Sequence, residues 1–319
     1  MTGMFTLILP TLSRPTSAHL PPLNLLALNE MWRFGTWLPH DLTTGQIYLR
    51  YLCGKFALPE NEVFASPVWL QMGMNNMTMI DGASIQIGMG EAQSLCDGLN
   101  EFYRHDFALS PIRADLWRFR LPEKPQWQSP MLFDAWGFQA GDLSEQASGQ
   151  NRNAWLQLQT EIQMWLHAHP MNKVRQKNGL SPINGIWLWN APTHETLQHQ
   201  PQLIGSSSTW ANATTLPLHD APYSFTVWQQ ICQEKNLPLG ETALFLDDLT
   251  TSAQTGDEFA YHRILQQWET HFFAPIWSAL KSGTLPEMRL ICEQGILHIK
   301  QRAHWAFWKR AKNFTGQFE

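Results

Sequence analysis

Closely spaced cysteines are missing from this chain: Cys53, Cys96, Cys232 and Cys292 lie far apart and none forms a Cys-x-x-Cys pair. That spacing suggests neither a disulfide framework nor a thiolate metal site, and it fits a reducing compartment. Long apolar runs are missing as well. No segment reaches the roughly 20 residues of a membrane-spanning helix, and the short run at 5–9 has no basic stretch before it, so no signal peptide is expected. Nor is there a cationic excess: 22 Lys and Arg stand against 27 Asp and Glu, a net charge of −5 with pI near 6.2. Such a balance gives no general attraction to nucleic acid or anionic lipid. No complete catalytic signature, internal repeat or low-complexity tract occurs. The expectation is a cytoplasmic protein with no nucleic-acid partner and no membrane partner.

What is abundant is core material. Hydrophobic residues make up 44% of the chain and aromatics 12%, with 16 tryptophans, enough for one large domain or two lobes. Trp155 and Trp165, like Trp268 and Trp277, fall at helical core spacing, so packing is preferred to sugar stacking for them. The run 5–9 reads as a buried strand, and 23–34 and 44–56 read as helices. Residues 67–72 read as a strand and Asp81-Gly82 as a hairpin turn. A helix with one apolar face follows (Ala92, Leu95, Cys96, Leu99, Phe102, Tyr103), and then a strand alternates Trp117, Phe119 and Leu121 against Arg118 and Arg120. A long surface connection is expected at 121–153. Beyond it helices at 155–168, 225–234 and from Asp257 alternate with strands at 186–189 and 243–246, and a hairpin of 288–292 with 296–300 closes the series. Alternation of this kind predicts an α/β fold with a layered, mainly parallel sheet core and a smaller inserted α+β lobe. The division expected is 1–62 for the first strand and helices of the core, 63–149 for the lobe and its connecting loop, and 150–319 for the α/β core.

Candidate sites cluster where the chain turns after the 155–168 helix. Pro170 should release His169 from the helix axis, so that His167 and His169, candidate acid or base groups, could share a ligand; otherwise they bond the last free carbonyls. Arg175 could hold an anionic ligand in its planar fork, with Asn172 and Asn184 supplying amide contacts, the alternative being solvated turn residues. His194 and His199 in HETLQH are five residues apart, which places them about 140° apart on a helix and excludes the metalloprotease motif. Gly205-Ser206-Ser207-Ser208-Thr209 could cradle a phosphate on backbone amides, although it lacks the lysine and glycine spacing of a P-loop. Asp247 and Asp248 end the strand ALFLDD, where open α/β sheets place ligands and metals. Asp257 is placed to cap the helix after it. HWAFWKR near the C-terminus mixes basic and aromatic residues and reads as an amphipathic closing segment with Lys309, Arg310 and Lys312 toward water.

In order, Pro67-Val68-Trp69-Leu70, EAQSLCDGLNEFY, EIQMWLHAHPMN, INGIWLWN and HWAFWKR resemble the RpfE-type bacterial regulatory protein family, itself labelled as similar to cofactor-independent phosphoglycerate mutases. Trp69 stands where that family tends to carry His, and Asn190-Ala191 replaces its glycine-rich turn. The segment 244–269, anchored on Thr255-Gly256-Asp257, resembles the metal-binding strand, loop and helix of those mutases. The resemblance implies an alkaline-phosphatase-like core in which the metal-binding Asp and His positions are occupied by Thr250 and Gln254, with no metal and no cofactor. It implies a non-catalytic regulatory or ligand-binding protein whose partner is a small anionic ligand or another protein. The alternative is a phosphotransferase, mutase or hydrolase acting on a phosphorylated or anionic metabolite.

Overall fold

The computed structural model describes residues 3–13, 22–53, 58–72, 77–135, 147–190, 200–213, 216–305 and 308–318. Its chain forms two compact units, Met1–Lys55 with Glu195–Glu319, and Phe56–His194.

The first unit is built on a seven-stranded sheet in the order Leu218–His219, Leu203–Gly205, Thr242–Phe245, Phe5–Ile8, Glu287–Cys292, Gly295–Lys300, Thr36–Pro39. Its first five strands pair in parallel and the last two join antiparallel, so the mainly parallel sheet expected from strand and helix alternation is present. Period-two alternation decides which side chains enter the core. Phe5 and Leu7, Leu244, Met288 and Leu290, and Leu297 and Ile299 all point to one face and are buried against helices Leu26–Phe34, Phe225–Glu234, Glu258–Trp268 and Ala274–Ser282. Each such side chain contributes about 1.5–3 kcal/mol on burial. On the other face Tyr48 packs edge-on against Phe245 with ring centroids 4.9 Å apart. Gly205 is required by close approach: a Cβ there would sit 2.6 Å from Leu244 Cδ2 and 2.8 Å from the Trp228 ring.

Two expected helices are interrupted for identifiable reasons. The helix from Asp257 is capped as predicted, Asp257 Oδ1 accepting from Ala260 N at 2.9 Å. It then widens into a π turn at Glu269–Phe273 ahead of Pro275, which has no N–H to continue the α ladder. Likewise the helix expected at 44–56 is an α turn at Thr44–Tyr48, opened by a capping box from Thr43 and Gln46, running into a π turn at Leu49–Cys53.

In the second unit, Glu62–Met72 is the central strand. It pairs antiparallel with Met77–Asp81, Leu116–Arg120 and Gly185–Trp189, and Ala108–Arg113 adds to Leu116–Arg120. The sequence reading grouped 155–168 and 186–189 with the parallel core; both lie in this unit instead. All of Gly185–Trp189 is buried, and a fully apolar strand carries no mark of which sheet it will join. Asp81-Gly82 is also not a hairpin between strands but the turn that leads to helix Met89–Phe102. Side chains satisfy the backbone of Gly185–Trp189 on the side facing helix Arg152–Ala168. Leu188 O accepts from Trp155 Nε1 at 2.9 Å and from Ser129 Oγ at 2.6 Å, and the Gln159 amide, in the orientation that satisfies both groups, pairs with Ile186 O and Leu188 N.

Candidate functional site

The turn after Trp155 was expected to gather a ligand site, and the structure gives its residues another use. Pro170 does not open a loop; it starts a second helix, Pro170–Lys177, and His169 is both the last cap of one helix and the first cap of the next. His169 Nδ1 accepts from Met171 N at 3.3 Å while its ring stacks on Trp165, and burial lowers its pKa below the usual imidazole range. His167 is exposed in the last turn of Arg152–Ala168. Asn172 joins Leu166 O to Ile183 O and N, and Asn184 pairs with both the N–H and the C=O of Leu70 like an added strand residue. Arg175 is 1% exposed. Its guanidinium donates to Glu91 Oε2 at 2.6 Å, Ser181 O at 2.7 Å and Ile85 O. Every one of these groups except His167 ties backbone to backbone or helix to helix, so the expected anion clamp is replaced by a packing clamp.

A cleft of about 420 Å³ lies instead at the carboxyl ends of the parallel strands Leu203–Gly205 and Thr242–Phe245 in the first unit. Ser207, Asp247, Asp248, Gln267 and His271 supply its polar wall, and Phe245, Trp268 and Phe272 are among its apolar lining. Just past the strand Thr242–Phe245, Leu246 N–H still reaches Ile8 O at 3.0 Å, and this delivers the two aspartates to the edge. The π turn at Glu269–Phe273 carries His271 to the same cleft. The aspartate pair at the end of ALFL was a visible signal; Gln267 and His271 had none, because only packing brings them there.

Asp247 is the most constrained group. Tyr48 Oη donates to its Oδ2 at 2.8 Å and Ser208 adds a second hydrogen bond, while Thr250 Oγ1 donates to its backbone carbonyl at 2.6 Å. Burial raises the pKa of Asp247 above the ordinary carboxylate value, opposed by the Ser208 and Tyr48 hydrogen bonds and helped by the neighbouring Asp248 charge. The Tyr48 phenol is pushed well above its usual range, by burial first and then by Asp247. A carboxyl whose folded pKa exceeds its unfolded one binds more protons in the native state, so it removes stability as pH rises from the unfolded pKa through the folded one. Asp247→Asn is therefore expected to melt above the parent protein at pH 7 and to converge with it below about pH 4, the ordinary carboxylate range. Thermal melts of both proteins across that interval check it; an offset independent of pH would show that ionisation is not the cause.

Hydroxyls around this edge are engaged in local structure. Ser206 Oγ accepts from Ser208 N, Ser207 Oγ from Ala221 N, and Ser208 Oγ from Trp210 N, so the serine run caps backbone amides of its own loop and its neighbour. Among the described residues no hydroxyl or thiol is hydrogen-bonded to an imidazole, one of the pairings that activates a nucleophile. Burial pushes the Cys96 and Cys292 thiols up to about 12, which removes them as thiolates at neutral pH.

Metal donors are sparse at this edge. Among the described residues no group of three or more His, Cys, Asp or Glu could hold an ion. Thr250 gives its hydroxyl to a carbonyl, and the Gln254 side chain lies outside the described residues. Asp247 and Asp248 alone do not fit the donor set of a two-metal centre. Outside the described residues, too, lie 191–199, which include HETLQH, and positions 306–307 of HWAFWKR. No described helix is long and apolar enough to cross a membrane.

No protein-family model matches the chain, and no curated protein matches it in sequence. Solved structures of similar form include a cofactor-independent phosphoglycerate mutase from Thermoplasma acidophilum DSM 1728, 12% identical with TM-score 0.42 over 100% of this chain and 95% of that one. Another is the PH0037 protein from Pyrococcus horikoshii, 12% identical with TM-score 0.49 over 99% of this chain and 92% of that one.

Proposed function

We propose that this is a non-catalytic, ligand-binding regulatory protein of the bacterial cytoplasm, an RpfE-type relative of cofactor-independent phosphoglycerate mutases that binds a small molecule in the cleft beside Asp247. The observation that carries the reading is the state of the serine and threonine hydroxyls at this edge: Ser206, Ser207 and Ser208 accept from backbone amides, Thr250 donates to the Asp247 carbonyl, and among the described residues no imidazole is hydrogen-bonded to any of them. The resemblance of 244–269 to the mutases, with Thr250 and Gln254 in place of charged and imidazole ligands, supports a fold that has kept its edge and lost its chemistry. Four buried, free cysteines agree with a reducing compartment. The enzyme alternative relied on Arg175 as an anion clamp, and its enclosure by Glu91, Ser181 and Ile85 leaves that alternative without its binding group.

The test is turnover. With p-nitrophenyl phosphate or 3-phosphoglycerate and added Mn²⁺ or Zn²⁺, no phosphate release or mutase product above the uncatalysed rate is expected. Less than one ion per chain should remain after dialysis. Turnover that disappears in Asp247→Asn, or two tightly held ions, would overturn the reading.

A further inference from the structure

The chemistry of the cleft limits what it can hold. Two carboxylates, Asp247 and Asp248, face it, and among the described residues no lysine or arginine lines it. Among the described residues neither aspartate forms an ion pair. Asp247 is held by neutral donors only, Tyr48 and Ser208, so its charge lacks a counter-charge in a partly buried position. The remaining wall is apolar and partly aromatic, with Trp268, Phe272 and the exposed Tyr223 beside Ala221, Pro222 and Ile264.

We infer that the cleft selects an organic cation, an ammonium or guanidinium group carried on an apolar body; the inference rests on the reading of this cleft as the ligand site. A cation supplies the counter-charge that Asp247 and Asp248 lack, and ring faces attract it further. A phosphorylated or carboxylate ligand would meet two like charges with no described arginine or lysine in the lining to offset them. An inorganic dication fits less well, because hard dications take six to eight oxygen ligands or an octahedron, whereas Asp247 is already occupied by two donors and the space, about 420 Å³, suits a small organic molecule. His271 and Gln267 add polar contacts from the helical side, and His271 and Tyr223 are the titratable groups that line the cleft besides the two aspartates.

Isothermal titration with agmatine and benzyltrimethylammonium as cationic probes, and with 3-phosphoglycerate and glucose as anionic and neutral ones, tests the inference. Binding of at least one cation is expected, weakened tenfold or more in Asp248→Asn and in Asp247→Asn, both of which should still melt cooperatively. Ala221→Trp, which fills the cleft from its lining, should abolish it. If 3-phosphoglycerate or glucose binds and is lost in Ala221→Trp but not in Asp248→Asn, the cleft remains the ligand site and the cation inference fails. Cation binding that survives all three substitutions overturns the inference by placing the cation elsewhere. Failure of every probe to bind overturns it as well.

Discussion

Arg175→Ala should destabilise the protein by about 3–5 kcal/mol, the usual cost of removing one partner from a buried charge pair. The side chain is 1% exposed and its guanidinium joins Ser181, just beyond the helix that carries Arg175, to a distant stretch of chain: Glu91 at the start of helix Met89–Phe102 and Ile85 in the turn before it. Glu91 Oε2 also accepts from Gly88 N at 2.9 Å, so one carboxylate caps its own helix and anchors the arginine. Truncation removes the charged one of the two donors to Glu91 Oε2 and takes the guanidinium donor from two carbonyls. Arg175→Lys should recover little, because a single ammonium cannot reproduce a planar fork. Thermal melting followed by tryptophan fluorescence provides the measurement, and a fall of about 10 °C is expected for a loss of this size. An unchanged melting temperature would mean that Arg175 is free for a ligand after all.

Trp155→Ala should be comparably damaging, about 3–5 kcal/mol. Trp155 is fully buried on helix Arg152–Ala168, stands edge-on to Trp187 with ring centroids 5.1 Å apart, and donates its indole N–H to Leu188 O. The phenylalanine variant separates these contributions: it keeps most of the apolar contact and loses the hydrogen bond, so about 1–2 kcal/mol is expected. Urea unfolding of the two variants checks the order. Equal losses would show that cavity formation contributes nothing beyond the hydrogen bond.

Much of the architecture was legible because it is written in short-range patterns. The apolar run at 5–9, the helix at 225–234 and the hairpin at 288–300 appear within two residues of their expected limits, since burial of one face and turn residues set their ends. Asp257 capped the helix it was assigned to. Less legible was the start of helix Leu26–Phe34, which begins three residues later than expected. No local side chain caps it; Glu269 does, accepting from Ala27 N and Leu28 N across 242 and 241 residues of chain. Polar residues at 167–184 read equally well as a site or as a scaffold, because a side chain able to bind a ligand is also able to bind backbone.

From sequence alone came many of the elements, though not the strands Thr36–Pro39, Leu203–Gly205 and Leu218–His219, together with the mainly parallel sheet and the suspicion attached to Asp247 and Asp248, all consequences of local periodicity and of strand ends lying at an edge. Tertiary structure decided the partners. It placed Gly185–Trp189 against Glu62–Met72, because a strand apolar on both faces is satisfied by whichever covered sheet admits it. It enclosed Arg175, because Glu91 and two carbonyls could satisfy it away from water. It also brought His271 and Gln267 to the cleft beside Asp247 and Tyr48 to the Asp247 carboxylate. Contacts spanning 199 residues, as between Tyr48 and Asp247, follow from how whole faces pack, and local pattern carries no record of them.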